Sequence, residues 1–223
     1  MTPKGIAAIQ EGFFYLLSGT WVNLVVVVGA MMVGFLLGLP LAIGQIYSGK
    51  TVRSIIDVYV WFFRGIPLLV LLFLFYFGLV SFLNINLSAF TVAIVVLGLI
   101  SSAYQSQILR GAILSIPDGQ MKAARAVGMH DVQAVVYVIL PQAFRISIPA
   151  WSNEYAILLK DSAVTYALGV SELMSRANHV ASRTYQHLYI YLLAGFMFMV
   201  LTYLGTRALA ALQNRLKIPG YIH

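Results

Sequence analysis

The sequence predicts an all-α protein that crosses a membrane several times. Of its 223 residues, 61% are hydrophobic and only 9% are charged, and the apolar residues form long uncharged runs. Soluble domains carry about 25% charged residues, so this chain has too few charges to cover a soluble globule. The composition excludes an ordinary soluble enzyme and a disordered chain, and the lack of cysteine excludes a disulfide scaffold. The net charge of +7 comes from only 14 Lys and Arg residues, which indicates topology signals rather than nucleic-acid binding.

The uncharged runs predict five membrane-spanning helices within a single domain, residues 1–223. Residues 12–49 and 65–109 contain no charged side chain, and the second run is long enough for two crossings of about 20 residues each. A polar turn at residues 84–88 separates those two crossings. Barrel strands would alternate apolar and polar residues over about 10 positions, and these runs do not. The helices are predicted at about residues 20–46, 66–83, 89–111, 142–165 and 187–212.

The Lys and Arg residues predict the orientation. Ten fall beside one set of helix ends and three beside the other, and cytoplasmic loops carry the excess of positive charge. We therefore expect the N-terminus outside and the C-terminus in the cytoplasm. The ten are Lys50, Arg53, Arg64, Arg110, Lys122, Arg125, Arg145, Arg207, Arg215 and Lys217; the three are Lys4, Arg176 and Arg183; Lys160, near a helix end, is left out of both groups.

Small residues recur at every fourth position of the first predicted helix, at Ala30, Gly34, Gly38 and Ala42. Small side chains on one stripe let helix backbones approach closely. The stripe predicts a helix contact, either within this chain or with another subunit.

Residues 44–51 match the nucleotide-binding pattern G-x-x-x-x-G-K-[ST]. That loop binds phosphates only between a strand and a helix, and here a long apolar helix precedes it. We interpret the segment as a short cytoplasmic turn in which Lys50 faces lipid headgroups.

Polar side chains interrupt the third and fourth predicted helices. Residues 101–107 read Ser-Ser-Ala-Tyr-Gln-Ser-Gln, and such groups must face other helices or a wet cavity because lipid cannot satisfy them. On the fourth helix, Asn153 and Lys160 lie seven residues apart on one side. The adjacent line of the same helix carries Glu154, Asp161 and Thr165.

A charge at the centre of a bilayer costs at least about 2.5–3.5 kcal/mol, so such a residue faces the helix bundle or a water path. Glu154 is near the middle of its span, which is consistent with a polar pathway or with a structural hydrogen bond. Lys160 and Asp161 either join that pathway or extend to the outer interface.

Two short cytoplasmic helices are expected in the segment of residues 116–140. Asp118 is the predicted N-cap of the first helix, and Gly128 suits its end with a positive φ. Asp131 is the predicted cap of the second, which should end at Leu140, before Pro141.

The first of these helices offers Ala123, Ala124 and Val127 as a small apolar face. An exposed apolar face on the cytoplasmic side favours docking into a partner's groove. The alternative is a helix that lies on the membrane surface.

Nothing in the sequence predicts a metal site or covalent catalysis. The four histidines, His130, His179, His187 and His223, lack metal-ligand spacing and have no cysteine partners. No Ser/His/Asp set falls on one side of the membrane at one depth.

The cytoplasmic segment resembles the signature of the inner-membrane permease subunits of ABC importers. That signature reads Glu-Ala-Ala, three residues, Gly, and about a dozen residues later Leu-Pro. Here Lys122-Ala123-Ala124 is followed by Gly128 and by Leu140-Pro141, so Lys122 replaces the signature Glu. Further stretches between about Gly19 and Pro219 are similar to the polar-amino-acid (histidine/glutamine) branch. They are Tyr59–Leu69, Ala103-Tyr104 with Arg110, Pro117–Gln120, Leu140–Ala143, Asn153-Glu154 with Leu159–Ser162, and Ser182–Tyr185.

The resemblance implies the fold of a type I importer permease in the inner membrane of a prokaryote, paired with a second copy or a paralogue. It implies two ATPase subunits that hold ATP and Mg, with no cofactor in this chain, and an extracellular or periplasmic binding protein that delivers the substrate. Residues 118–136 would enter the ATPase groove. The coupling residues implied are Asp118, Gly119, Lys122, Ala123, Ala124, Val127 and Gly128.

The substrate implied is a polar amino acid, cationic ones included. Glu154 would accept its ammonium group and Lys160 its carboxylate, with Asp161 beside them. Asn153, Thr165 and Tyr104 would supply neutral hydrogen bonds. The alternatives are a permease for an opine or an ectoine-like solute, a stand-alone secondary transporter or channel, and a membrane-embedded enzyme. Five helices without an inverted repeat disfavour the secondary transporter.

Overall fold

The computed structural model describes residues 3–216, and these residues form helices joined by short connections, with no strand among them. Each long apolar run has become a helix because lipid leaves backbone groups no partner outside their own segment. The α-helices are α1 (Pro3–Tyr47), α2 (Lys50–Gly65), α3 (Leu68–Phe73), α4 (Ala89–Leu114), α5 (Asp118–Ala126), α6 (Asp131–Ala134), α7 (Leu140–Ser162), α8 (Leu173–Thr184) and α9 (His187–Arg215). Two π-helical segments, Leu74–Val80 and Val135–Ile139, and the 3₁₀ segment Ala163–Leu168 continue α3, α6 and α7.

The described residues contain four helices long and apolar enough to cross a membrane alone, and a bent pair of helices that brings the number to five if it forms one span. The bent pair joins Lys50–Gly65 to Leu68–Val80 at an angle of 104°. The four others are Gly12–Tyr47, Ala89–Leu114, Asp131–Leu168 and His187–Arg215. The expected all-α membrane fold is confirmed, and the predicted five spans are reached when the bent pair is counted as one span.

The second span differs from the prediction of residues 66–83, because it starts with α2 and is broken at Ile66 and Pro67. Ile66 is extended, with φ −97° and ψ 135°, and Pro67 precedes α3. Proline disfavours helical backbone at the residue before it and cannot donate a backbone hydrogen bond. The first helix also begins earlier than predicted, at Pro3 instead of residue 20.

Pro141 does not end a helix, contrary to expectation. The chain is helical without interruption over Asp131–Leu168, which includes the predicted span of residues 142–165. The π-helical segment Val135–Ile139 lies directly before the proline. Its wider hydrogen-bond register accommodates the ring and the missing N–H, which would disrupt a regular α-helix.

The small-residue stripe on α1 is a contact within this chain. A Cβ placed on Gly34 would lie 2.5 Å from Gln105 Nε2 and 2.7 Å from Ser101 Oγ, both on α4. A Cβ on Gly38 would lie 3.0 Å from the carbonyl oxygen of Ser102. Of the two alternatives for the stripe, the structure therefore selects close packing of α1 against α4.

The segment that matches a nucleotide-binding loop is a connection between helices. Gly44 lies within α1, and Gly49 precedes the first residue of α2, so no strand leads into it. Arg53 donates through Nε to the carbonyl oxygen of Gln45 at 2.7 Å, which fixes α2 against α1. The interpretation as a short turn is confirmed.

Candidate functional site

The centre of the candidate site is Glu154 on α7, whose side chain is 3% exposed. Ser101 on α4 donates through Oγ to Glu154 Oε1 at 2.8 Å. Gln105, one turn further along α4, donates through Nε2 to Ser101 Oγ and to the carbonyl oxygen of Met31, each at 3.0 Å. A chain of hydrogen bonds therefore joins α1, α4 and α7 and orients one carboxylate oxygen.

Two charged side chains lie within electrostatic range of the Glu154 carboxylate, and neither forms an ion pair with it in the described part of the chain. Arg64 and Asp161 both interact with it electrostatically, and Lys160 interacts with Asp161. Within residues 3–216, Arg125 and Asp131 form an ion pair closer than 4.0 Å, and neither Glu154 nor Lys160 belongs to one. A salt bridge between Glu154 and Lys160 is therefore absent from the described structure, and the direct partner of Glu154 is the neutral Ser101.

Arg64 is the residue of this site that sequence reasoning missed. The sequence groups Arg64 with the cytoplasmic cations, but its guanidinium carbon lies 4.8 Å from the centroid of the Tyr104 ring, on α4. The reason is the length of α2, which places Arg64 about 21 Å along the helix from Lys50 at about 1.5 Å per residue. The signal in the sequence is the Gly-Ile-Pro that follows Arg64, because it ends α2 directly after this residue.

The remaining predicted residues fall into two groups. Asn153 and Lys160 are exposed on one side of α7, as expected from their spacing, and Asp161 is half-buried. Thr165 is fully buried and donates to the carbonyl oxygen of Ser162 at 2.7 Å, within its own helix. The structure therefore brings Tyr104, Glu154 and Asp161 together with Arg64, and it does not bring Thr165 to them.

This arrangement places two carboxylates and two cationic groups in one region of the helix bundle. An ammonium group is favoured beside Glu154 and Asp161, and a carboxylate beside Arg64 and Lys160. Arginine also presents a planar fork that matches both oxygens of a carboxylate. The region is suited to a small zwitterion.

The cytoplasmic segment is helical as predicted, with two differences at its caps. Pro117 is the N-cap of α5 and Asp118 is its first residue, while Asp131 is the first residue of α6 rather than its cap. The Asp131 carboxylate instead accepts a hydrogen bond from Arg125 Nε at 2.7 Å. Gly128 has φ +88°, so the expected stop in the left-handed region is confirmed.

The predicted apolar face of α5 is only partly exposed. Val127 is 75% exposed and Ala123 is exposed, but Ala124 is only 5% exposed and faces the body of the protein. Adjacent helical positions point about 100° apart, so the helix can bury Ala124 and still expose Ala123. Lys122 and Gly119 lie on the exposed surface of the same helix.

Comparison with known proteins gives consistent similarities. Residues 34–218 match the family model described as "Binding-protein-dependent transport system inner membrane component". The chain is 34% identical to the L-cystine transport system permease protein TcyB of Bacillus subtilis over 93% of this chain and 89% of the relative. It is 35% identical to the arginine transport system permease protein ArtQ of the same organism, over 91% of this chain and 93% of the relative.

A solved structure has the same fold. A chain from the crystal structure of an amino acid ABC transporter with histidines superposes with a TM-score of 0.86 and 33% identity, covering 96% of this chain and all of the other. The family match, the relatives and the fold agree with the resemblance read from Ala123-Ala124, Gly128 and Leu140-Pro141. This chain belongs to the family of inner-membrane components of binding-protein-dependent transport systems, and it is a transport subunit of the ABC importer type.

Proposed function

We propose that the chain is the permease subunit of an ATP-driven importer of polar amino acids, cationic ones included, in the inner membrane of a prokaryote. The observation that carries this proposal is the buried Glu154 carboxylate with Arg64 and Asp161 in electrostatic reach. Relatives named for the transport of cystine, arginine and histidine/lysine/arginine/ornithine support the substrate class.

In this proposal the substrate lies between opposite charges. Glu154 and Asp161 accept its ammonium group or a cationic side chain, and Arg64 and Lys160 bind its α-carboxylate. Asn153 and Tyr104 add neutral hydrogen bonds. Ser101 holds Glu154 in place through the 2.8 Å hydrogen bond and does not contact the substrate.

A second permease copy or a paralogue covers the face that carries Asn153, Lys160 and Arg64. These polar side chains are exposed in the single chain, and lipid cannot satisfy them. A second subunit would enclose a polar path between the two chains. Two ATPase subunits dock at α5 and drive alternating access, and an external binding protein delivers the substrate.

Recognition of the α-carboxylate is tested by equilibrium binding to the purified permease–ATPase complex without its binding protein. Arginine and agmatine share the guanidinium side chain and an amine, but agmatine lacks the carboxylate. We expect arginine to bind and agmatine to bind at least about tenfold more weakly, since one charge-assisted contact is lost. Equal affinities would contradict the zwitterion site, and uptake of arginine without ATP would contradict the importer.

The orientation is tested by labelling, because the chain has no cysteine of its own. Single cysteines at the exposed positions His179 and Val127 should react with an impermeant maleimide from opposite sides of the membrane, His179 from outside. Labelling of both positions from one side would contradict the proposed orientation.

A further inference from the structure

The exposed surface of α5 combines small apolar side chains with a single unpaired cation. Ala123, Ala126 and Val127 are exposed on it. Lys122, on the same helix, makes no hydrogen bond or ion pair within the described part of the chain. Asp118, one turn earlier, is not within 4.0 Å of its ammonium group.

The neighbouring cation is already neutralised. Arg125 donates through Nε to Asp131 at 2.7 Å, across the turn at Gly128. The hydrogen bond between them raises the pKa of Arg125 above its ordinary value and lowers the pKa of Asp131, so the charged form of each partner is favoured. Lys122 is therefore the positive charge that α5 presents to a partner.

We propose that Lys122 is a specificity-determining residue of the ATPase-docking surface and that it pairs with a carboxylate in the groove of the partner ATPase. This inference rests on the proposed function, because it takes an ATPase subunit as the occupant. It adds to that function the prediction that the groove of the ATPase carries a negative charge opposite Lys122.

The physical reason is the cost of leaving a charge unpaired in an interface. Docking of Ala123, Ala126 and Val127 removes water from the surface of α5, and Lys122 lies one helical turn before Ala126 on the same side. A charge that loses water without gaining a partner is strongly destabilising, whereas a matched opposite charge offsets that cost. A groove with a cation at this position would repel Lys122, so the same lysine that admits one ATPase excludes others.

The chemistry of lysine gives a direct test on the assembled complex. The permease is purified with the ATPase subunit that co-purifies from its own host, and a carbodiimide is added, which joins an ammonium group to a carboxylate in contact with it. We expect an isopeptide bond from Lys122 to an Asp or Glu of the ATPase, identified by mass spectrometry. Lys122→Arg keeps the charge but cannot form this bond, so it should keep the ATPase and lose the cross-link.

Charge reversal measures the contribution to affinity. Lys122→Glu should weaken ATPase association at least about tenfold, and reversal of the cross-linked carboxylate to Lys on the ATPase should restore it. Lys50→Glu is the matched control, since Lys50 is also an exposed lysine but belongs to α2 rather than to α5. It should leave the association unchanged.

The outcomes separate this inference from the proposed function. A permease that purifies without any ATPase contradicts the proposed function. An ATPase that co-purifies but forms no cross-link with Lys122 overturns the inference and leaves the proposed function standing. A cross-link combined with full association of Lys122→Glu also overturns it, because the lysine would then contact the groove without selecting the partner.

Discussion

Asn23 Nδ2 donates a hydrogen bond of 2.9 Å to Glu172 Oε2, although the two residues are 149 positions apart. The same amide nitrogen donates to Ser162 Oγ at 2.8 Å, and its oxygen accepts from the backbone N–H of Leu173 at 3.0 Å. Glu172 in turn caps α8 by accepting from the backbone N–H of Ser175 at 2.6 Å. One buried asparagine therefore joins α1 to the end of α7 and the start of α8.

Replacement of Asn23 should destabilise the fold. Asn23→Ala leaves the buried N–H of Leu173 without an acceptor and removes a donor from a buried carboxylate, for a loss of about 2–4 kcal/mol in the free energy of unfolding. Asn86→Ala is the control, because Asn86 is exposed in the loop before α4 and should change stability by less than about 0.5 kcal/mol. Thermal unfolding in detergent compares the two, and equal melting temperatures would show that the network contributes nothing.

Glu172 should make stability depend on pH. Burial raises the pKa of Glu172 above its ordinary value of 4.5, and this outweighs the opposite effect of its hydrogen bonds from Met174, Asn23 and Ser175 and of nearby Arg176. A carboxyl whose pKa is raised by folding stabilises most below its unfolded pKa, and that contribution is lost as the pH rises through the folded pKa.

The comparison that isolates this effect is wild type against Glu172→Gln, which cannot ionise. The melting temperature of the wild type, relative to that of the variant, should fall as the pH rises from about 4.5. A difference that stays constant, or that grows with pH, would show that the hydrogen bonds to the carboxylate outweigh its burial.

Close packing at Gly34 predicts a sensitive position on α1. Gly34→Ala places a methyl group within 3 Å of Gln105 and Ser101, so overpacking should cost about 1–3 kcal/mol. Gly195→Ala, in α9, meets nothing within 4 Å and should be neutral or stabilise by up to about 1 kcal/mol through helix propensity. The melting temperature should therefore fall in Gly34→Ala and stay the same or rise in Gly195→Ala, and equal decreases in both variants would contradict the packing of α1 on α4.

Gly128 and Gly111 offer a second matched pair of glycines. Neither has a neighbour within 4 Å of an added Cβ, but Gly128 has φ +88° and Gly111 lies in the helical backbone of α4, outside the docking residues of α5. Gly128→Ala should cost about 1–2 kcal/mol of local stability, whereas Gly111→Ala should cost nothing. We expect only Gly128→Ala to weaken ATPase binding, as measured by co-purification, and wild-type binding by both variants would show that docking does not need this turn.

Much of the fold could be predicted because composition and length decide where a chain can cross lipid. The uncharged runs predict the bounds of α4 and α9 closely, and the spacing of Ala123-Ala124 and Gly128 predicts the position of the cytoplasmic segment. The predicted start of the second span is too late, because the charged residues Arg53, Asp57 and Arg64 in α2 are not typical of a membrane-spanning helix. The helix end predicted before Pro141 is wrong for a different reason. No pattern in the sequence indicates the π-helical segment that lets the helix continue through this proline.

The candidate site could be predicted only where local spacing carries information. The position of Glu154 in the middle of its span predicts that its carboxylate has a polar partner, but nothing in the sequence identifies Ser101 as that partner. Arg64 and Tyr104 meet only because α2 and α4 pack together, and Asn23 and Glu172 meet only through the fold as a whole. Contacts between distant segments depend on helix packing, which a single sequence does not encode in any local pattern.

The sharpest prediction concerns Glu154→Gln. Glutamine keeps an oxygen that accepts from Ser101 Oγ, so the hydrogen bond of 2.8 Å can persist and the melting temperature should change little. The negative charge beside Arg64 and Asp161 is lost, and with it one charge-assisted contact to a substrate cation. Such a contact contributes about 1.5–3 kcal/mol, so arginine should bind the permease–ATPase complex roughly 10- to 150-fold more weakly, with basal ATP hydrolysis retained.

Glu172→Gln makes the same chemical change at the other buried glutamate, which is bonded to Asn23 rather than placed near Arg64. It should leave the affinity for arginine within about twofold. A loss of affinity in Glu154→Gln alone would then result from the position of Glu154 and not from the removal of any buried carboxylate. Because Glu154 and Lys160 form no ion pair, Lys160→Met should not restore binding in the Glu154→Gln background. Unchanged affinity for arginine in Glu154→Gln would show that the Glu154 charge does not contact the substrate and would contradict the proposed ammonium site.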